Sequence, residues 1–541
     1  MLGKRKAQRA LFDVGNVFPV ALDPASFHGQ LAGAAERLFR DEDFAAFYAD
    51  RLGRPSAPPS LLALMTLLQH ECGCSDAEAV ARTAFDLRWA AVLRKAAGEP
   101  LCAKSTFQLF RAHLVLHDGV RAIFERSLQQ AREVGLLGRG PLKIAVDTKP
   151  ILGQGAAEDT YNLLGTGIQQ LIRALAKTER LTPEAWAEAH ALSRYFAPSL
   201  KGSAALDWSD ADARGTFLSQ IVADARRLLY RAGEAMGNEE TAAVREAAQL
   251  LSQLLLQDVV ETPPGDEGRD GKATIRPGTA PGRIPSATDP EQRHGRKSER
   301  HHFTGYKGAI AVDRPSQIIL DAELLDGAAP DAAGLLEQVQ RIEECTGQPV
   351  AETQGDCAYG SGETRQAFAD AGRKLLAKVP QEKTNGGLFP KSAFVLDLVH
   401  STVTCPQGHI AAKFTREPDG GQLFHFGTRC AGCPLREHCT TSARGRSVSV
   451  HPQEGLLLAA RAYQETTEGR AHLRERVVAE HRLARLGQLG MGQARYRGRT
   501  KTRCQLLLLA TIANLRRVWE WVATSGADRP APVSELIAAA A

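Results

Sequence analysis

Asp147 closes the apolar run Leu142-Lys-Ile-Ala-Val, and Asp356 closes the extended run Pro349-Val-Ala-Glu-Thr-Gln-Gly. Glu480 lies in the helical segment Arg476-Val-Val-Ala-Glu-His481. Two strand-end acids and one helical acid, far apart in sequence, are the ligand set that two-metal phosphoryl transfer requires. Mg²⁺ takes hard oxygen ligands and keeps waters, and two ions share a carboxylate between them. An acid at a strand end is commonly a turn former or helix cap, which is the plain alternative for Asp147 and Asp356. Asp356 is the more specific of the two, because Cys-Ala-Tyr359-Gly follows it and small residues leave room for a ligand at the turn. Leu473, Val477, Glu480 and Ala484 recur at helical spacing, which predicts that Glu480 lies on an apolar stripe. A carboxylate there needs a partner or a metal. Arg476, one turn earlier, offers an intrahelical pair that is compatible with ligation. Asp159 precedes the helical stretch of Leu163 and reads as an N-cap outside the metal site.

Two further clusters carry chemistry. Cys405, Cys430, Cys433 and Cys439 supply the ligand count of a structural Zn²⁺ site, with His409 and His438 as substitutes. The alternative is a set of reduced cysteines in a small β subdomain, since the spacing is not that of paired knuckles. Arg495, Tyr496, Arg497, Arg499, Lys501 and Arg503 place five cations and one aromatic in a short run, a candidate phosphate-binding surface. Arg476 joins them as a candidate DNA contact, and the alternative for the run is a solvated turn before a helix.

With 541 residues, 43% hydrophobic and 24% charged, the chain reads as several packed domains rather than a disordered protein. A net charge of +5 is too small to argue for nucleic acid, so the clustering of charge carries that case. The ten cysteines do not look like a secreted disulfide framework, and no apolar stretch approaches membrane-spanning length without charges. The expectation is a soluble, cytoplasmic protein.

The elements that must position these groups follow from pattern. Residues 1–138 read as helices with capping boxes at Ser75-Asp-Ala-Glu78 and Ser105-Thr-Phe-Gln108, either a helix-turn-helix type of DNA-binding domain or an ordinary bundle. Residues 139–159 hold the first strand, 160–260 a helical insertion, and 261–302 a Pro-, Gly- and charge-rich loop expected to be flexible. Residues 303–385 hold two antiparallel strands followed by alternating helices and strands, and 386–450 form the Cys-rich β insert. Residues 451–525 are the catalytic and C-terminal helices, with a tail at 526–541. The fold class is therefore α/β, and the order of elements is that of an RNase H-like mixed-sheet core.

With these residues in place, the chain resembles the DDE transposases of bacterial insertion sequences, in the group with an N-terminal helical domain and a Cys-rich insert. The resemblance rests on Val146-Asp147-Thr, Ser286-Ala-Thr-Asp-Pro-Glu, Phe303-Thr-Gly-Tyr-Lys, Asp356-Cys-Ala-Tyr359, Arg497-Gly-Arg-Thr-Lys and Ala510-Thr-Ile-Ala-Asn514-Leu. It implies a catalytic triad of Asp147, Asp356 and Glu480, and two Mg²⁺ (or Mn²⁺) ions. Its implied partners are double-stranded DNA, both terminal inverted repeats and target, with a homodimer on DNA at the nucleoid. The alternatives are an inactive or domesticated relative that only binds DNA, and an RNase H-like nuclease without strand transfer. One departure stands out. The related signature is Tyr, two residues, Arg, three residues, Glu, six residues, Lys; here Arg476 and Glu480 match, while Leu473 and Gly487 replace the tyrosine and lysine. Tyr496 and Lys501 are the candidate substitutes.

Overall fold

The computed structural model describes residues 1–5, 13–17, 22–49, 53–235, 242–261, 272–381 and 386–525. The N-terminal part is helical, with α1 (Phe27–Leu38), α2 (Pro59–Cys72), α3 (Asp76–Phe85), α4 (Leu87–Val92), α5 (Lys104–Leu116) and α6 (Gly119–Glu133). Proline at its first position starts α2, and Gly73 with φ +63° ends it. The Ser75 hydroxyl accepts from the Glu78 amide at the start of α3, as its spacing predicts. Ser105 is different: α5 begins at Lys104 after Ala103, so the serine lies inside the first turn and caps nothing. Helix α2 is apolar on nearly all sides, and Leu62, Leu64, Met65, Leu67 and Leu68 are all buried. It forms the centre of a bundle whose core is continuous with that of the sheet.

Strand β1 (Leu142–Leu152) leads into the helical insertion, where α7 (Thr160–Thr178), α8 (Ala211–Ala235) and α9 (Ala242–Asp258) enclose a core of their own around Trp186, Ile168 and Leu251. Asp159 caps α7, its carboxylate accepting from the amides of Tyr161 at 3.0 Å and Asn162 at 3.3 Å. The segment expected to be a flexible loop is ordered over 272–302, and residues 262–271 lie outside the described residues. Strand Ala273–Ile275 pairs with Val259–Glu261, and Ser286, Asp289 and Gln292 are buried. Tertiary contacts order this polar segment: Asp289 accepts from the Tyr306 hydroxyl at 2.7 Å and the Gly498 amide at 3.1 Å. Composition alone gave no sign of those partners. The basic start at 6–9 and the tail at 526–541 also lie outside the described residues.

The main sheet continues with β2 (His302–Asp313), β3 (Ile319–Asp326), α10 (Leu335–Thr346), β4 (Val350–Gly355), α11 (Gly362–Asp370) and β5 (Leu375–Ala377). Its order is β3-β2-β1-β4-β5, with short strand Arg293–Arg296 also on β2. β1, β2 and β3 are antiparallel, whereas β1–β4 and β4–β5 pair in parallel. Parallel neighbours need crossover connections, and α10 and α11 supply them.

Two small three-stranded sheets then form the Cys-rich insert around Phe394, Val403, Phe424 and Phe426. The chain returns to the main core through α12 (Glu454–Glu465), α13 (Thr467–Arg474), α14 (Val477–Gln488) and α15 (Arg499–Ser525). Helix α15 packs against α6, α2 and β3. Its Asn514 is fully buried and bonds both backbone groups of Ile319, at 2.9 Å and 2.8 Å. Among the described residues no helix is long and apolar enough to cross a membrane.

Candidate active site

The first two acids meet because of strand register. Ala145 of β1 pairs with Gln354 of β4 in parallel, and two residues further along each strand stand Asp147 and Asp356. Adjacent strands lie about 4.8 Å apart, so the two acids stand side by side. Asp356 directly follows the end of β4, but Asp147 is in the middle of β1, which pairs with β2 as far as Leu152 and does not end at the acid as the apolar run suggested. Helix α14, which carries Glu480, packs across β1 and β2. The Asp147 carboxylate accepts from the Thr148 amide at 2.8 Å, and Asp356 accepts from the Ala358 amide at 2.8 Å, starting a short turn of helix.

Burial pushes the Asp147 carboxyl up to about 6. The Thr148 amide opposes this, the charge of Asp356 adds to it, Arg476 opposes it and Glu480 adds to it again. Asp356 and Glu480 are therefore both within electrostatic reach of Asp147. Yet among the described residues no three His, Cys, Asp or Glu side chains stand close enough to form a ready metal cage. Like charges without a counterion repel. An all-carboxylate oxygen set in which one member already resists ionisation suits a hard divalent cation.

Glu480 departs from the expected stripe. Its side chain is 46% exposed and pairs with Arg476 at 2.7 Å. Val477 and Ala484 are exposed too, and the buried face of α14 is Ala479, Arg482, Leu483 and Leu486. The helix is interrupted at Glu475 and Arg476 between α13 and α14, so helical phase does not carry from Leu473 to Glu480. The intrahelical pair, by contrast, forms.

Tyr359 completes the floor. Its ring is buried, and its hydroxyl is held well above the ordinary tyrosine range by burial first and then by Asp147, Asp331 and Asp356. Strand β4 must end in glycine here, since a methyl group on Gly355 would meet the Tyr359 Cβ and Cγ at 2.7 Å. Gly355→Ala should therefore cost about 1–3 kcal/mol in urea unfolding, the usual price of overpacking. An unchanged midpoint would show that the ring can move aside.

The basic run is largely engaged inside the molecule. Arg495 donates to the Cys74 carbonyl, and the Tyr496 hydroxyl accepts from Arg111 at 2.8 Å. Arg499 donates to the Leu324 carbonyl at 3.1 Å, and Arg503 pairs with Glu323 at 3.0 Å. Glu291 and Asp289 cap the start of α15, receiving the Arg499 and Gly498 amides. Arg497 and Lys501 are exposed, and their side chains have no intramolecular partner among the described residues. Spacing could not distinguish these two from their neighbours.

Cys405, Cys430, Cys433 and Cys439 line one small cavity with His409. They are unpaired thiols, and no metal-ligand grouping forms there among the described residues. Cys430 and Cys439 join the apolar core of the insert. Burial pushes the Cys439 thiol up, and the neighbouring Cys430, Cys405 and Cys433 add to the rise while Arg446 opposes it. The structural zinc expected from ligand count is not supported.

Two family models match the chain: a Transposase domain (DUF772) at residues 24–113 and a Transposase DDE domain at residues 404–519. The first lies in the helical N-terminal part and the DDE domain in the C-terminal part, and both are transposase domains. The DDE domain makes it a phosphoryl-transfer enzyme acting on DNA, and DDE transposases use divalent metal ions. The DDE match contains Glu480 and the basic run, while Asp147 and Asp356 precede it. Neither the curated proteins nor the solved structures yield a match.

Proposed function

We propose that this transposase binds the terminal inverted repeats of an insertion sequence and catalyses DNA cleavage and strand transfer on an RNase H-like core. The observation that carries this reading is the register that sets Asp147 beside Asp356, with Glu480 close enough to oppose ionisation of Asp147. The strand order β3-β2-β1-β4-β5, with an antiparallel meander followed by two parallel strands, supports the fold assignment.

Asp147, Asp356 and Glu480 would hold two Mg²⁺ (or Mn²⁺) ions. When bound, such ions activate an attacking oxygen and stabilise the leaving oxygen of an in-line displacement. Arg476 keeps Glu480 oriented through their ion pair. Arg497 and Lys501 supply unpartnered charge for backbone phosphates. The N-terminal helices contribute DNA binding, and two copies act together on paired ends.

The test is incubation of the purified chain with a labelled duplex taken from the DNA flanking its coding sequence, with Mg²⁺ or with EDTA, plus a target plasmid. Metal-dependent nicking followed by joining of a 3′-hydroxyl end to the target is the expected result. Nicking without joining would point to a nuclease, and binding without nicking to a DNA-binding protein alone.

A further inference from the structure

The structure places an unexpected cation beside the acids. Lys149 stands two residues after Asp147 on β1, and side chains two apart on a strand share a face, about 6.7 Å along it. Gly487 stands seven residues after Glu480 on α14, close to two full turns, so these two share a helix face about 10.5 Å apart. The two faces meet. A methyl group on Gly487 would lie 2.7 Å from the Lys149 Nζ and 3.8 Å from its Cε, so the ammonium occupies the space that a side chain at 487 would take.

Lys149 is half-buried, and its ammonium makes no ion pair among the described residues. Neighbouring cations behave otherwise: Arg476 is paired with Glu480, and Lys307 with Asp331 at 2.6 Å. A lysine held under a helix, on the acids' face of the strand and with its charge uncommitted, is placed to take an anion from outside the chain. In an enzyme whose substrate is a polyanion, that anion is a DNA phosphate. The signature spacing noted above would place a lysine at position 487 itself. The first substitute considered, Tyr496, is engaged by Arg111, and the second, Lys501, lies on α15 beside a cavity with His70 and Arg111.

We propose that Lys149 is the phosphate-contacting cation of the active site, delivered from β1 through the space that glycine leaves at position 487 of α14. This rests on the reading of Asp147, Asp356 and Glu480 as the catalytic carboxylates. The substrate group is a backbone phosphate of the strand being cut, one step along the site from the acids.

The test uses the full chain and the flanking-DNA duplex described above, with Lys149→Ala, the double variant Lys149→Ala/Gly487→Lys, and Asp147→Asn as the control for the site itself. Lys149→Ala should lower cleavage about ten- to a hundredfold, the loss of one charged hydrogen bond. Its thermal melting should be unchanged, and the salt dependence of duplex binding should fall by about one ion. The double variant should regain cleavage, because it returns the ammonium to the same place from the other element. Wild-type cleavage by Lys149→Ala would overturn the inference while Asp147→Asn remained inactive, leaving the carboxylate reading intact. A loss that came with lower melting, an unchanged salt slope and no rescue would also overturn it, as a purely structural effect. Full cleavage by Asp147→Asn would instead remove the site on which it rests.

Discussion

Asp147→Asn is expected to abolish cleavage and to stabilise the metal-free fold. The loss should be roughly a thousandfold or more, since a bridging carboxylate places the ions that supply several kcal/mol of charge stabilisation. The gain has a separate origin. In the folded chain the Asp147 carboxyl is raised to about 6 from an ordinary 3.8, mainly by burial. A carboxyl whose folded pKa is raised binds a proton more tightly in the native state than in the unfolded one. Its contribution to stability is full below the ordinary carboxylate range and is lost as pH rises towards about 6. Ionising it costs up to about 3 kcal/mol. Urea unfolding without divalent ions, on both sides of that range, should show the wild type losing ground to Asp147→Asn as pH rises. Added Mg²⁺ should then stabilise the wild type and not the variant. A variant that cleaves normally would show that the acids do not form the site.

Arg314→Ala should be the most damaging substitution away from the acids. Arg314 follows β2, is buried, and donates to Glu352 on β4 and at 2.5 Å to Glu475 at the α13–α14 corner. It ties the sheet to the segment that leads into Glu480. Removing one partner of a buried pair costs about 3–5 kcal/mol when the other charge is left alone, and less here because Lys374 at 2.6 Å and His472 at 2.7 Å stay with Glu352. The half of the clamp at Glu475 counts for less, since that side chain is 57% exposed. Burial alone would raise the Glu352 carboxyl, but Lys374, Arg314 and His472 outweigh it and hold it below the ordinary range. That stabilisation is present above the unfolded pKa and lost as pH falls through the folded one. The gap between wild type and Arg314→Ala should therefore narrow in acid. Cleavage should fall along with stability as the α14 corner loosens. Arg314→Lys should recover part of both, keeping the charge without the two-pronged donor. Equal unfolding midpoints for wild type and Arg314→Ala would sink the clamp.

Local spacing was enough to read what lies within one turn or one strand. The Ser75 and Asp159 caps, the Arg476–Glu480 pair and the strand end before Asp356 depend only on neighbours a few residues away, whereas the strand of Asp147 runs on to Leu152 because β2 pairs with it there. The alternation of strands and helices was visible for the same reason. The sequence could not carry phase across a helix interruption, so Leu473 misled the reading of Glu480 once the corner at Glu475 restarted the helix. Nor could it tell a cation facing solvent from one already bonded. Arg495, Arg499 and Arg503 look like Arg497 in the chain, but their partners, Cys74, Leu324 and Glu323, come from distant elements. The pairing of Ala145 with Gln354, the ordering of 272–302 by Tyr306 and Gly498, and the meeting of Lys149 with Gly487 were all decided by tertiary structure. Each joins residues whose separation along the chain carries no periodic signal, and only packing of the sheet and helices brings them together.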